Sequence, residues 1–204
     1  EVALASGFGS VRRFNETFQA LYGRPPSALR RRGERTGDGG VKLSLPYRPP
    51  YDRAAMLAAL AARGDAVEGG RWSRALTTAV DGADGLVTVE PGEDGRVAVT
   101  VAASDLRALP GVLARVRRVF DLSADPEAIA RDLSADALLR PLVEARAGLR
   151  LPGQWIDEDD AAPSDRWPDG RSAARAETWR PWRAYAAAHL AAAGIELEHD
   201  REAA

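Results

Sequence analysis

The 204-residue chain has no cysteine, a single lysine (Lys42) and two histidines (His189 and His199), and aromatic residues make up only 6% of it. Each shortage removes a class of chemistry. Without cysteine there is no disulfide framework, no thiolate nucleophile and no Cys-ligated zinc. Two imidazoles do not suffice for a His-rich metal site, so no metal partner is expected. No apolar run approaches the roughly 20 residues needed to span a bilayer, and no signal-peptide pattern comes first. The chain therefore reads as cytoplasmic, without a membrane partner. No motif implies a cofactor.

What is present is enough for a core: 45% of the residues are hydrophobic, most of them Ala, Leu and Val. The net charge of −2 hides a gradient. Between Gly9 and Arg35 seven arginines face two glutamates, whereas from Leu151 to Ala204 eleven acids face six arginines. A basic amino end suits a polyanion and an acidic tail does not; two solvated faces of opposite sign would look the same.

Residues 1–36 read as helix, turn, helix. VALAS is a short helical piece, Gly7 supplies the turn, and Ser10 is placed to cap a second helix. Val11, Phe14, Phe18 and Leu21 then line one face, leaving Arg12, Arg13, Asn15, Glu16 and Gln19 off the stripe. Gly23 and the Pro25–Pro26 pair end the helix. The run A-x-x-S-G-F-G-S-x-x-x-F-x-x-x-F-x-x-x-x-G-R-P-P-S-x-L-R resembles the second helix-turn-helix of AraC-type transcription regulators, and its RRFN core resembles the version in Ada-type adaptive-response proteins. The resemblance implies that Ser10, Arg12, Arg13, Asn15 and Glu16 face DNA. Arg can pair with guanine edges or phosphates and Asn with adenine. The family uses two such units and only one is present, so the implied DNA binding is weak and mainly through phosphates. The chain opens inside this pattern, so Glu1 is not expected to be a true start. Methyl transfer is excluded, because it needs cysteines.

A polar, Gly-rich stretch at 33–40 separates this segment from the next, 41–153. VKLSLPY, WSRALTTAV, GLVTVEP and RVAVTVAAS read as antiparallel strands, and Tyr51 to Arg63 as a helix with Asp52 near its start. Asp105 to Phe120 is predicted to be a helix with Leu106, Leu109, Val112, Leu113, Val116 and Phe120 on its buried stripe, followed by helical stretches at 125–134 and 136–146. The expected class is α+β: a partial helix-turn-helix, then an antiparallel sheet with two helices, then a linker and a terminal helix. The phrases LPYRPPYDRAAMLAALAAR, RRVFDLSADP and ARAGLRLPGQW, in this order, are similar to the amino-terminal domain of AlkA-type 3-methyladenine DNA glycosylases. That resemblance implies a buttressing domain without catalytic residues. Leu109-Pro110-Gly111-Val112 mimics the phrase of a DNA-gripping hairpin, but Leu113 stands where a glycine would be needed, so a helix start is expected instead.

The carboxyl end, AETWRPWRAYAAAHLAAA, resembles the last helix of the same glycosylases. Segment 179–204 is read as a remnant helix begun or kinked at Pro181, and His189 as a packing or helix-end residue rather than a catalyst. Where the family carries a catalytic domain, only 23 residues lie between Trp155 and Trp179. Glycosylases of this type flip the damaged base into a pocket and use a carboxylate to support the cationic sugar. Asp157, Glu158, Asp159, Asp160, Asp165 and Asp169 sit in a hydrophilic stretch and read as an exposed acidic linker, 154–178. No catalytic residue is assigned. The resemblance thus points to a repair-family protein without base-excision activity. Two alternatives stand beside it: a DNA-binding regulator module, and a non-functional remnant that exposes Trp179 and Trp182.

Overall fold

Alternating valines build the central sheet. The computed structural model of the chain describes residues 40–92, 94–156 and 173–195. These fall into two compact units, one made of residues 40–46 and 64–114 and the other of 47–63 together with everything from Arg115 onward. The amino-terminal segment 1–36, with its helix-turn-helix reading, lies outside the described residues.

The first unit holds β1 (Val41–Pro46), β2 (Ala66–Glu68), β3 (Arg71–Leu76), a short helix α2 (Thr78–Asp81), β4 (Gly85–Pro91) and β5 (Arg96–Ala103). The helix α1 (Arg53–Ala62), which comes between β1 and β2 in the chain, belongs to the second unit. The strands form one antiparallel sheet in the order β1-β5-β4-β3-β2. Pairing of Leu45 with Val97, Val87 with Val101, Val89 with Val99 and Trp72 with Val89 sets these side chains on one face. Every one of them is at most 1% exposed. The period of two that marks these strands in the sequence is the alternation of this face with Lys42, Ser44 and Ala98 on the other. Gly85 is fixed by a close approach, since a Cβ there would lie 2.0 Å from the Ala102 carbonyl oxygen.

The expected α+β class with an antiparallel sheet is what the structure has, with a fifth strand, β2, beside the four expected. The strand expected over WSRALTTAV stops at Leu76. Two aspartates turn the chain there: Asp81 accepts from the Thr77 amide at 2.9 Å, and Asp84 from the Thr78 amide at 2.9 Å and its hydroxyl at 2.7 Å. Gly82, at φ 77°, then ends α2.

The predicted helix at 105–120 is a 3₁₀ turn at Leu106–Ala108 followed by α3 (Leu109–Val119). Val112, Leu113, Val116 and Phe120 are buried as expected, but Leu106 is 54% exposed. The 3₁₀ turn advances by a different angle per residue from an α-helix, so Leu106 falls out of phase with the stripe. The start of α3 at Leu109 and the complete burial of Leu113 agree with a helix start rather than a hairpin.

The second unit is helical. Its α1 is capped by Asp52, whose carboxylate accepts from the Ala55 amide at 2.9 Å. Further on come α4 (Pro126–Leu133), with Asp125 at its N-cap and proline in its first turn, and α5 (Arg140–Ala145). Residues 173–178, expected within the linker, form with Trp179 the helix α6 (Ala173–Ala176) and a 3₁₀ turn at Glu177–Trp179. The terminal helix α7 (Arg183–Ala192) follows Pro181. Ile129, Leu133, Leu139, Val143, Ala176, Trp179, Tyr185, Ala186 and Leu190 form one apolar cluster. The remnant reading had Trp179 and Trp182 exposed; Trp179 is 3% exposed and Trp182 is half-buried against this cluster. Among the described residues no helix is long and apolar enough to cross a membrane.

Candidate functional site

Polar side chains from four separate stretches of the second unit converge at Asp121. This residue closes the turn after α3 with φ 51°, a left-handed conformation that Asp tolerates better than most residues. Its Oδ2 accepts the Tyr185 hydroxyl of α7 at 2.6 Å and the Leu151 amide at 3.1 Å. Beside it Arg150 is only 5% exposed. The Arg150 Nη2 donates to the carbonyls of Arg48 and of Pro50, the latter at 3.0 Å, and its guanidinium carbon lies 5.2 Å from the centre of the Tyr51 ring. Tyr51 in turn donates to the Phe120 carbonyl at 2.8 Å. The Arg150 Nε and Nη1 are buried and reach no protein acceptor.

Burial dominates the electrostatics. It raises the Asp121 carboxyl above its ordinary range, against the pull of the Tyr185 and Leu151 hydrogen bonds and of the nearby Arg150 cation. Burial also pushes both phenols far upward, Tyr51 against the cation of Arg150 and Tyr185 with the carboxylate of Asp121 adding to the rise. A perturbed acid of this kind can mark an active centre. Here its Oδ2 is filled by two donors from the protein itself, which suits a structural fastening.

Two further carboxylates hold the segment that leads into α7. The Trp179 indole donates to Asp136 Oδ2 at 2.8 Å, and Arg175 reaches the same carboxylate at 3.1 Å. The Trp182 indole donates to Asp132 Oδ2 at 2.9 Å. For Asp136, burial that would raise the carboxyl is outweighed by the Trp179, Leu138 and Arg175 hydrogen bonds; Asp132 is lowered by its bonds to Trp182 and Arg131. Glu177 forks between Arg180 at 2.8 Å and Arg183 at 2.6 Å. His189 packs at 4% exposure, as the packing reading expects, and burial brings its imidazole down to about 4.

The residues predicted to face DNA, Ser10, Arg12, Arg13, Asn15 and Glu16, lie outside the described residues, as do Asp157, Glu158, Asp159, Asp160, Asp165 and Asp169. Among the described residues no group of three or more His, Asp or Glu comes together to hold a metal ion. The Asp121, Arg150, Tyr51 and Tyr185 cluster was missed in the sequence. Asp121 and Arg150 stand inside two of the family-like phrases, RRVFDLSADP and ARAGLRLPGQW, and an arginine within an apolar run was the signal available.

Comparison with known proteins gives three results. A family model for the AlkA N-terminal domain matches residues 42–156. Proteins from two strains of Mycobacterium tuberculosis, each described as a probable bifunctional transcriptional activator/DNA repair enzyme AlkA, are 36% identical over 172 residues, covering 79% of this chain and 34% of their own length. The chain thus spans about a third of the length of the curated relatives it matches. A 3-methyladenine DNA-glycosylase from Archaeoglobus fulgidus aligns with a TM-score of 0.42 at 23% identity, over 52% of this chain and 36% of that one.

Proposed function

Because the chain belongs to the AlkA N-terminal domain family, we propose that it is a protein of the DNA alkylation-repair class that carries the supporting part of such an enzyme and does not itself excise bases. The observation behind this reading is the extent of the family match. It ends at residue 156, and in this reading the short acidic stretch that follows stands in place of the domain that flips and cleaves. The carboxylates of the second unit add to it: Asp121, Asp132, Asp136 and Glu177 are all engaged in fastening their own unit.

The decisive experiment is release of 3-methyladenine and 7-methylguanine from alkylated duplex DNA by the purified chain, its mass confirmed intact. The expected result is the spontaneous rate. Release above it would show that a carboxylate of the acidic stretch is catalytically placed and would end this reading.

A second reading, a DNA-binding regulator module, is favoured by the name of the mycobacterial relatives, which joins transcriptional activation to repair. In it Arg12 and Arg13 contact phosphates, Asn15 and Glu16 face base edges, and Ser10 caps the helix that carries them. Binding by one such helix is weak and strongly salt-dependent.

A further inference from the structure

The terminal helix α7 carries an imidazole in a place that suits only its neutral form. His189 is 4% exposed, on the helix that gives Tyr185, Ala186 and Leu190 to the apolar cluster. One ring nitrogen is bonded to the Leu142 backbone of α5, which leaves Nδ1 buried with no protein group in reach. A proton added at Nδ1 would create a buried donor without an acceptor and a second cation beside Arg146, the residue that ends α5. The carbonyl end of α7 itself favours a positive charge, but that attraction is worth only a few tenths to about 1 kcal/mol at a helix terminus. Arg146 and the loss of solvation oppose it. The neighbouring Tyr185, one turn earlier, stays uncharged because burial holds its phenol far above its ordinary value.

We infer that His189 makes α7 an acid-released strap: protonation of its imidazole undocks the helix from α5 and opens the apolar cluster of the second unit. The sign follows from linkage. Burial lowers the imidazole from 6.5 to about 4, so the folded state binds fewer protons than the released one. Docking is therefore at full strength above pH 6.5 and weakens as pH falls toward 4. Between pH 7.5 and pH 5 the shift corresponds to an opening equilibrium about thirtyfold larger.

The test is peptide-resolved hydrogen–deuterium exchange on the full chain at pH 7.5 and pH 5, corrected for the intrinsic rate. Peptides covering residues 183–195 should lose protection, by up to about thirtyfold because acid strengthens the Asp121 fastening of the same helix, and in His189→Leu, which puts an apolar side chain of similar size in place of the titrating group, they should not lose it. Undiminished protection at pH 5 in the parent chain, or an equal loss in His189→Leu, would overturn the inference. Should the leucine variant not fold, Arg146→Gln serves in its place. Removing that cation should shrink the acid loss, and an unchanged loss counts against the strap. The imidazole proton resonance gives an independent reading: with His199→Gln removing the other histidine, the remaining signal should titrate near 4, and a midpoint at the ordinary value would refute the buried state.

Discussion

Removing one hydroxyl, by Tyr185→Phe, tests whether the polar cluster at Asp121 fastens α7. The ring is 3% exposed and would stay in place; what is lost is the 2.6 Å bond to Asp121 Oδ2. A hydrogen bond to a charged acceptor contributes about 1.5–3 kcal/mol, and a neutral one about half of that. The cost therefore depends on the protonation state of Asp121. Burial raises the folded-state pKa of this carboxyl, so the stability linked to it is fully present below the unfolded value and is lost as pH rises through the folded one. The Tyr185 bond opposes that rise. Without it the folded pKa climbs further, and the gap between Tyr185→Phe and the parent widens with increasing pH. Urea unfolding followed by tryptophan fluorescence at several pH values measures that gap. In an Asp121→Asn background, where the left-handed backbone is still tolerated and the amide oxygen remains a neutral acceptor, Tyr185→Phe should cost about half as much, and the double-mutant cycle should return a coupling of about 1 kcal/mol. Additivity within about 0.5 kcal/mol, or a cost that shrinks as pH rises, would refute the fastening role.

Other outcomes follow from single contacts. Leu190→Ala, at a position 0% exposed in the apolar cluster, should destabilise the second unit by about 2–5 kcal/mol in the same urea assay. Asp52→Ala removes the cap of α1 and should cost about 1 kcal/mol by thermal unfolding, with no change in sheet content by circular dichroism. If the regulator reading holds, Arg12→Ala with Arg13→Ala should weaken binding to duplex DNA and reduce the slope of log affinity against log salt by about 1–2, read by fluorescence anisotropy. An unchanged slope would remove those two residues from the interface.

The sheet was legible because its information is local. In GLVTVEP and RVAVTVAAS the side chains alternate between a buried and an open face, and β4 and β5 occupy the positions that this alternation marks. The same reasoning overran at WSRALTTAV, where Asp81 and Asp84 reach back to the threonine amides and outweigh the β preference of Thr77 and Thr78. It also passed over β2, whose three residues are too few to show a period.

The polar cluster is a different kind of information. Asp121 meets a phenol 64 positions away and Asp136 an indole 43 positions away, so neither pairing leaves a periodic mark in the chain. The remnant alternative pointed the wrong way as well: it left the tryptophans before α7 as bare apolar surface without a partner domain. Each indole instead donates to a carboxylate of its own unit, at Asp136 and at Asp132, and the rings close over α4 and α5. That arrangement places the burden of the fold on both sides of the acidic stretch. Trp155, 4% exposed, is buried on its amino-terminal side, and Trp179, 3% exposed, helps anchor the residues on its carboxyl-terminal side.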